Sequence, residues 1–432
     1  MLALISLGPE RSTAAESAAS STPASSTEVP APTPAAVMRK AYLALVKNSI
    51  VPANPRVIGN AAVEAIRTLA SDHAKPLPVD FGSDPERDAT WLAECVADLP
   101  PAWSVIEAMA RSAETAHTGL ATPQFRRGLI ALGRGQPLCS PGFNLYRLDD
   151  GRLVVFDVIK GASADKSGLR IGDVLLRSDG RQALANEPFQ LFTRQAGTDV
   201  TLDIVRGSQP QSLTLRLIQA DVSNVESRLL DGGIGYIFVR GFSPSDDPAR
   251  KTAALVCDAL GVLLTLTQGA RGLILDLRSS MGGSGEVKIA SALCDGDVIY
   301  YLQNPLASPM RPIKRQGERI WPDRPVVVLV NQKTESAPEG LALSLRELGH
   351  VQIIGQPTAG GLTEFSAIPL ADGYSMTTPT GAVRGPISRA TPPSYAVIPN
   401  LVVPNPSIED LLAGKDAQLD AARAAIERAV TR

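Results

Sequence analysis

The feature of the sequence that most constrains the fold is a buried strand that leads directly into a helix. Residues 324–331 read RPVVVLVN, and helix-forming residues follow Ser336. Glu339 completes the spacing of a capping box, and Pro338 falls in the first turn, where proline is tolerated. A hydroxyl at a helix N-terminus is also a suitable seat for a nucleophile whose reaction develops an oxyanion, because backbone amides there favour negative charge. These residues alone leave both a helix cap and a nucleophile open for Ser336.

Strand and helix alternate on both sides of this turn, which predicts an α/β core over residues 228–405. The predicted strands are 235–241, 272–277, 298–302, 324–331 and 351–355, and the predicted helices are 248–267, 284–293 and 337–348. A C-terminal segment, 407–432, starts at Ser407 and Asp410 and carries an amphipathic helix over 416–430.

Three further regions precede the core. Residues 1–36 are mostly Ala, Ser, Thr, Pro and Glu after a short apolar start, which predicts a disordered tether or the remnant of a signal peptide. Residues 37–130 show apolar positions at helical spacing, interrupted by prolines, and predict a helical region. Residues 138–220 change to short alternating runs and predict a β-rich module. Its strands are expected at 153–158, 174–178, 200–206 and 213–218.

Charge and cysteine content exclude several classes of function. Lys and Arg number 42 against 44 Asp and Glu, without a long basic run, so nucleic acid and anionic membrane are poor partners. No stretch approaches the ~20 apolar residues of a membrane span. The four cysteines lack CxxC spacing, and no nucleotide or metal motif is present, so we expect no metal and no cofactor. Cys257 and Cys294 could pair, but buried free thiols are the expectation.

Four short motifs follow one another along the chain. They are AHTGL at 116–120 with PQFR at 123–126; GFNL at 142–145 with SGLRIGDVL at 167–175; LDLRSSMGG at 275–283; and TESAPE at 334–339. In this order they resemble the carboxyl-terminal processing (tail-specific) serine peptidases, over residues 36–403. The resemblance implies a multidomain α/β protein: a helical N-terminal region, a PDZ-like module at 138–220, and a catalytic core related to the crotonase and Clp protease superfamilies.

The resemblance also implies a role for each site residue. Ser336 would attack the peptide carbonyl. The backbone N–H groups of Gly282 or Gly283, together with that of Ala337, would stabilise the oxyanion. Within the PDZ-like module, Gly142, Phe143, Asn144 and Leu145 would bind the carboxylate or tail of a polypeptide substrate. A module that only covers the catalytic groove is the alternative.

The general base differs between the branches of the family. One branch carries a lysine about twenty-five residues after the serine, but this chain has Gly361 there. The tricorn-like branch uses the histidine of the first motif, which is His117 here, and an ordinary histidine pKa near 6.5 suits a base at neutral pH. Lys333 is expected to point to solvent without apolar neighbours, so we predict His117 as the base.

Several positions depart from the family pattern. Thr115 and Ala116 replace residues that commonly precede the histidine, Ser280 replaces an Asn, and Pro393 holds the place of a glutamate that completes the tricorn-like site. Thr118 or Glu364 could take over the support of the base, or catalysis is weakened.

The resulting expectation is a periplasmic, cell-envelope or secreted serine endopeptidase that acts on polypeptides through their C-terminal tails. Two alternatives stay open. One is a peptide-binding scaffold of the same fold that has lost turnover. The other is a crotonase-type acyl-CoA enzyme, suggested by the Gly-Gly turn.

Overall fold

The computed structural model describes residues 33–431 except 101, 114, 134–138, 149, 185–186, 193, 221–222, 243–250, 267–268, 305–308 and 350. Most of the predicted tether, His350 and Leu138 therefore lie outside the described residues. Contacts divide the chain into two units, Met1–Ala121 with Phe365–Pro379, and Thr122–Glu364 with Thr380–Arg432. This division differs from the continuous core predicted over 228–405. Residues 365–379 group with the helices because Met376 is buried among them and Ile368 and Leu370 pack against the same cluster.

The first unit is built from helices with well-defined starts. They are α1 Pro34–Val46, α2 Pro55–Leu69, α3 Pro85–Cys95 and α4 Trp103–Ser112, followed by strand β1 Gly119–Ala121. Asn54 and Asp84 cap α2 and α3 through their side chains, each directly before a proline. Helix α3 starts at Pro85 because the Asp84 side chain caps it there. Strand β1 pairs antiparallel with residues 375–377.

The predicted β-rich module forms the start of the second unit. Its elements are α5 Pro123–Gly133, β2 Phe143–Arg147, β3 Leu153–Val158, α6 Ser163–Lys166, β4 Val174–Ser178, β5 Arg181–Gln182, α7 Glu187–Phe192, β6 Asp199–Arg206 and β7 Gln209–Arg216. The strands pair antiparallel in the order β2-β3-β4-β6-β7, and β5 pairs with β4. Strand β2 therefore lies at one end of the sheet order.

The α/β core occupies most of the rest of the second unit. Its elements are β8 Val225–Leu230, β9 Ile234–Val239, β10 Gly241–Phe242, α8 Thr252–Thr265, β11 Gly272–Asp276, β12 Met281–Gly283, α9 Glu286–Leu293, β13 Val298–Gln303, β14 Arg311–Lys314, β15 Val326–Val330, α10 Ala337–Leu348, β16 Gln352–Gly355, β19 Leu401–Val402, α11 Ile408–Leu412 and α12 Ala417–Val430. Two more strands, β17 Thr363–Pro369 and β18 Ser375–Arg384, run partly through residues 365–379, which belong to the first unit.

The main sheet of the core has the order β19-β16-β15-β11-β9-β8, parallel except for β8. Its central strands are buried along their length, as parallel strands covered on both faces are. Side chains alternate between two clusters: Leu275 and Val328 face a core that includes residues of α8, α9 and α10, whereas Ile274 and Leu329 face residues of α12. The carboxyl ends of β11 and β15 therefore lie side by side, and both lead into the motifs singled out in the sequence.

Shorter pairings complete the core. Strand β10 pairs in parallel with β12, which holds the Gly-Gly motif. Strand β13 pairs with β14 and with the last residues of β18. Within the described part of the chain, no helix has both the length and the apolar character that crossing a membrane requires.

Candidate active site

Ser336 stands at the start of α10, one short turn after β15. It is 7% exposed, and its backbone has φ 71° and ψ −117°. An ordinary N-cap residue adopts an extended conformation, so a capping role does not require this geometry. Such a backbone costs a non-glycine residue on the order of 1–3 kcal/mol and persists where the surroundings enforce it, commonly at functional sites.

Thr334 and Glu335 fix the turn before Ser336 to the neighbouring strand. The Thr334 hydroxyl donates to the Leu277 carbonyl at 2.8 Å and accepts from the Asn331 N–H at 3.0 Å. The Glu335 N–H donates to the Ser280 carbonyl at 3.1 Å. These bonds join the end of β15 to the end of β11 and so set the position of Ser336 against the Gly-Gly motif.

Gly282 brings its backbone directly against the Ser336 side chain. A Cβ added at Gly282 would lie 2.6 Å from Ser336 Cβ and 2.9 Å from its Oγ, so a side chain there would displace the hydroxyl. Gly283 instead faces Phe242, whose carbonyl oxygen would lie 1.7 Å from an added Cβ. Of the predicted oxyanion donors, Gly282 and Ala337 therefore flank Ser336, and Gly283 packs against β10.

Glu339 contributes more to the site than the sequence indicated. It is fully buried, and its carboxylate accepts hydrogen bonds from the N–H groups of Ser336, Gly360 and Gly361 and from the Thr358 hydroxyl, at 2.6, 2.9, 2.8 and 2.5 Å. Burial raises its pKa to about 8, although the Thr358 hydroxyl and the backbone donors lower it. Ser-x-x-Glu spacing signals a cap, but it does not reveal the contacts with residues 358–361.

Position 361 faces the nucleophile but offers no side chain to it. A Cβ added at Gly361 would lie 3.0 Å from the Ser336 nitrogen and 2.6 Å from Glu339 Oε2. This is the position where one branch of the family carries its lysine, so a lysine base is missing at the place from which it would reach Ser336.

The expectation for Lys333 is wrong. The residue is part-buried, and burial lowers the pKa of its ammonium group, as does the nearby charge of Arg147, whereas Glu335 raises it. The residues next to Lys333 in sequence are polar and indicate exposure. Arg147, whose charge acts on Lys333, belongs to β2, far away in sequence. Lys333 is thus desolvated, as a lysine base must be for its pKa to fall toward neutrality.

His117 lies in the first unit, just before β1. Its backbone is in the left-handed region, at φ 64°, and its ring lies 5.0 Å from the ring of Phe365, centroid to centroid. The hydroxyls of Thr115 and Thr118 are hydrogen-bonded to each other at 2.5 Å. Glu364, the other suggested support, belongs to the second unit, is part-buried and has a pKa raised by burial, while Arg311 lowers it.

Two of the departures from the family pattern have visible structural consequences. The Ser280 hydroxyl is fully buried and has no hydrogen-bond partner within the described part of the chain. Pro393 starts a short 3-10 turn, and Val397 farther on donates its N–H to the Thr358 hydroxyl at 2.8 Å. The segment that lacks the glutamate is therefore still attached to the network around Glu339.

The acidic and basic residues of the third motif are structural. Arg278 is buried and bonds Asp276 at 2.7 Å and Asp416 at 2.9 Å. The Tyr236 hydroxyl also donates to Asp276, at 2.8 Å. The cluster attaches the start of α12 to the end of β11.

The residues predicted to bind a peptide lie on and just before β2. Phe143 and Leu145 are 2% exposed and belong to the core of the module, whereas the Asn144 side chain donates to Asp157 at 3.0 Å. Gly142 has φ 75°, and a Cβ added there would lie 2.1 Å from the Cβ of Ala162, so only glycine fits. Since the Phe143 and Leu145 side chains point inward, peptide contacts would come from the backbone of the strand.

The four cysteines are free thiols, Cys95, Cys139 and Cys294 buried and Cys257 part-buried, so Cys257 and Cys294 form no disulfide.

Comparison with known proteins agrees with these motifs. Residues 233–403 match the model of peptidase family S41, and the resemblance inferred from the motifs is confirmed. The chain is 32% identical to carboxy-terminal processing protease CtpA of Bacillus subtilis over 234 residues, 52% of this chain and 48% of that protein. It is 28% identical to the carboxyl-terminal-processing protease of Synechocystis over 334 residues, 74% of this chain and 75% of that one.

The matched region thus spans about half the length of the Bacillus relative. Among solved structures, the photosystem II D1 C-terminal processing protease superposes with a TM-score of 0.52 at 22% identity, over 80% of this chain and 93% of that chain. At this identity the likeness supports the fold and leaves activity to other evidence.

Proposed function

We propose that this protein is a serine peptidase of the carboxyl-terminal processing type, with Ser336 as its nucleophile. The observation that carries the proposal is the strained backbone of Ser336 at the start of α10, with the backbone of Gly282 against its Oγ. The hydroxyl oxygen attacks the substrate carbonyl carbon while its proton passes to a base. The N–H groups of Gly282 and Ala337 stabilise the oxyanion. The amine then leaves with a proton, and water hydrolyses the acyl-enzyme.

We assign the base to His117. The support is indirect: position 361 holds glycine, and the histidine follows the order of motifs found in the tricorn-like branch. Lys333 is the competing candidate, because its burial lowers its pKa toward the range of a working base. Replacement of each residue separately decides between them, as set out in the Discussion.

For the module at 138–220 we propose a PDZ-like role in which the edge of β2 captures the tail of a substrate. Its support is the terminal place of β2 in the sheet order, which suits the addition of a peptide strand. The C-terminal carboxylate would bind the backbone N–H groups of residues 142–145. A periplasmic, envelope or secreted location is part of the same proposal and rests on the composition of residues 1–36.

A scaffold without turnover is the second candidate, favoured by the missing side chain at 361 and by the buried, unbonded hydroxyl of Ser280. Incubation with an unfolded polypeptide, followed by mass spectrometry of the fragments, separates the two. A peptidase releases fragments, and the Ser336→Ala variant releases none while remaining folded. Binding without any fragment would favour the scaffold.

A further inference from the structure

We propose that Glu339 is a positioning residue that holds Ser336 in its catalytic conformation through the backbone. The inference rests on the proposed function of Ser336 as nucleophile. It deepens that function by naming the side chain on which the geometry of the nucleophile depends.

Glu339 is arranged to hold backbone groups, and the lone pairs of its ionised form are already occupied by hydrogen-bond donors. Its Oε2 accepts from the N–H groups of Ser336 and Gly361, and its Oε1 accepts from the Gly360 N–H and the Thr358 hydroxyl. A carboxylate offers about four lone-pair positions, and these donors occupy them. Its influence on the reaction therefore passes through the main chain of Ser336.

The bond to the Ser336 N–H acts at the strained residue itself. That residue keeps φ 71° and ψ −117° in a setting where its own N–H is bound at 2.6 Å to a fully buried carboxylate. A conformation of this kind persists when the surrounding structure over-determines it. Glu339 lies in the first turn of α10, where the helix dipole also favours a negative group.

The same carboxylate joins the start of α10 to residues 358–361, and those residues contact two further positions. Position 361 requires glycine, because a Cβ added there would lie 2.6 Å from Glu339 Oε2. Thr358, which donates to Oε1, also accepts from the Val397 N–H at 2.8 Å. In addition, the Ala359 N–H donates to the Thr334 carbonyl at 3.0 Å. The oxygen of Glu339 therefore fills the space that a side chain at 361 would need, and it connects the nucleophile to the loops on either side.

Ionisation of this group alters how many donors it can hold. A protonated carboxyl accepts fewer hydrogen bonds than the carboxylate, and burial places the pKa of Glu339 at about 8. The charged neighbour that acts on it is Glu335, which raises the pKa further, whereas residues 358–361 contribute a hydroxyl and N–H donors. The ionised form is thus the one that satisfies all of the donors around Ser336.

The test replaces Glu339 by glutamine, which keeps its size but sets an NH₂ group against N–H donors. The rate of labelling of Ser336 by a fluorophosphonate, kcat and KM on a polypeptide, and the melting temperature are compared with wild type. Asp173→Asn is the matched control: Asp173 is also buried and accepts from Arg170 N–H and Arg206, at 2.8 and 2.7 Å, within the β-rich module.

We expect Glu339→Gln to lose about 10²-fold in labelling rate and in kcat, with KM little changed, because a small misplacement of a reacting group has this effect. The labelling rate of wild type should rise with pH through the ionisation of Glu339, and the variant should lose that rise. Asp173→Asn should label at the wild-type rate with the wild-type pH profile.

A folded Glu339→Gln protein that labels at the wild-type rate overturns the proposal, as does an equal loss in Asp173→Asn. If wild type itself takes no label, the proposed function fails, and amide hydrogen exchange then decides on Glu339. Faster exchange at the Ser336 and Gly361 N–H groups in Glu339→Gln than in wild type supports the positioning role. Unchanged exchange at both contradicts it.

Discussion

Two buried carboxylate clusters lie near the ends of the neighbouring strands β11 and β15, and they are held in opposite ways. Asp276, the last residue of β11, is bound by the guanidinium of Arg278, which also bonds Asp416. Glu339, in the first turn of the helix after β15, is bound by N–H groups and a hydroxyl, without a cation among those partners. One cluster is held by a cation, whereas the other depends on dipoles.

The pKa shifts follow this difference. Although burial raises it, the charge and hydrogen bond of Arg278 hold the pKa of Asp416 below its usual value. Glu339 has no such partner, and burial raises its pKa to about 8. A cluster held by a cation keeps its protonation state and suits a structural clamp, whereas a cluster held by dipoles changes with pH and suits a site where geometry and charge matter for reaction.

The largest expected effect concerns the general base, which would take the proton of Ser336, the residue whose N–H is held by Glu339. His117→Ala should lower kcat/KM by about 10²–10⁴-fold, the contribution that general base catalysis typically makes. Lys333→Ala should retain most of the activity, and it is the matched variant because Lys333 is the other candidate base. Steady-state cleavage of an unfolded polypeptide by both folded variants measures this, and loss in Lys333→Ala alone would transfer the role of base to the lysine.

Removal of Arg278, the cation of the cluster around Asp276, should strongly reduce the free energy of unfolding. Arg278→Leu leaves Asp276 buried without its partner, and breaking a buried pair in this way typically costs 3–5 kcal/mol, roughly, in the free energy of unfolding. Arg111→Leu breaks an exposed pair with Glu107 and should cost less than about 1 kcal/mol. Urea unfolding of the two variants provides the comparison, and equal losses would contradict the claim that Asp276 depends on a buried cation.

If the backbone N–H groups of residues 142–145 bind a peptide carboxylate, they would hold it through dipoles, as N–H groups and a hydroxyl hold Glu339. A peptide with a free C-terminus should then bind the full-length Ser336→Ala chain more tightly than its amidated form. The expected gain is roughly 1.5–3 kcal/mol, the usual range for hydrogen bonds to a charged group. Calorimetry with the two peptides measures it, and equal affinities would leave the module a covering role.

The pH dependence of the free energy of unfolding should also distinguish the Glu339 cluster from the Asp276 cluster, by a smaller amount per pH unit. The pKa of Glu339 is raised from 4.5 to about 8, so the folded chain binds more protons than the unfolded chain within that window, and stability falls as pH rises through it. One such group contributes at most ~1.4 kcal/mol per pH unit. Urea unfolding at several pH values should show a flatter profile for Glu339→Gln, and an identical profile would contradict the raised pKa.

Local features of the sequence were sufficient to predict much of the core. Helix α10 begins and ends at the predicted residues 337 and 348, and strand β3 at 153 and 158, because capping residues, turn residues and apolar spacing act over a few positions. The spacing of Ser407 and Asp410 also marked a real capping box, at the start of α11.

The features that were missed depend on residues far apart in sequence. Glu339 resembled a simple cap because its contacts with Thr358, Gly360 and Gly361 cross about twenty positions. The burial of Lys333 was missed for the same reason. The turn residues at 371–373 predict a hairpin, and β17 and β18 flank this turn and pair with each other. Their bounds were not predicted, since their mixed burial gives no clean alternation.

The central claim is that Ser336 is an activated nucleophile, and covalent labelling tests it most directly. Wild type, Ser336→Ala and Ser344→Ala are incubated with a fluorophosphonate and their intact masses are measured. Ser344 is a buried serine of the same helix whose hydroxyl donates to the Gly340 carbonyl at 2.7 Å, so its variant serves as the control. We predict one added phosphonyl group on wild type and on Ser344→Ala, and none on Ser336→Ala. Labelling of a folded Ser336→Ala protein, or no labelling of wild type, would contradict it.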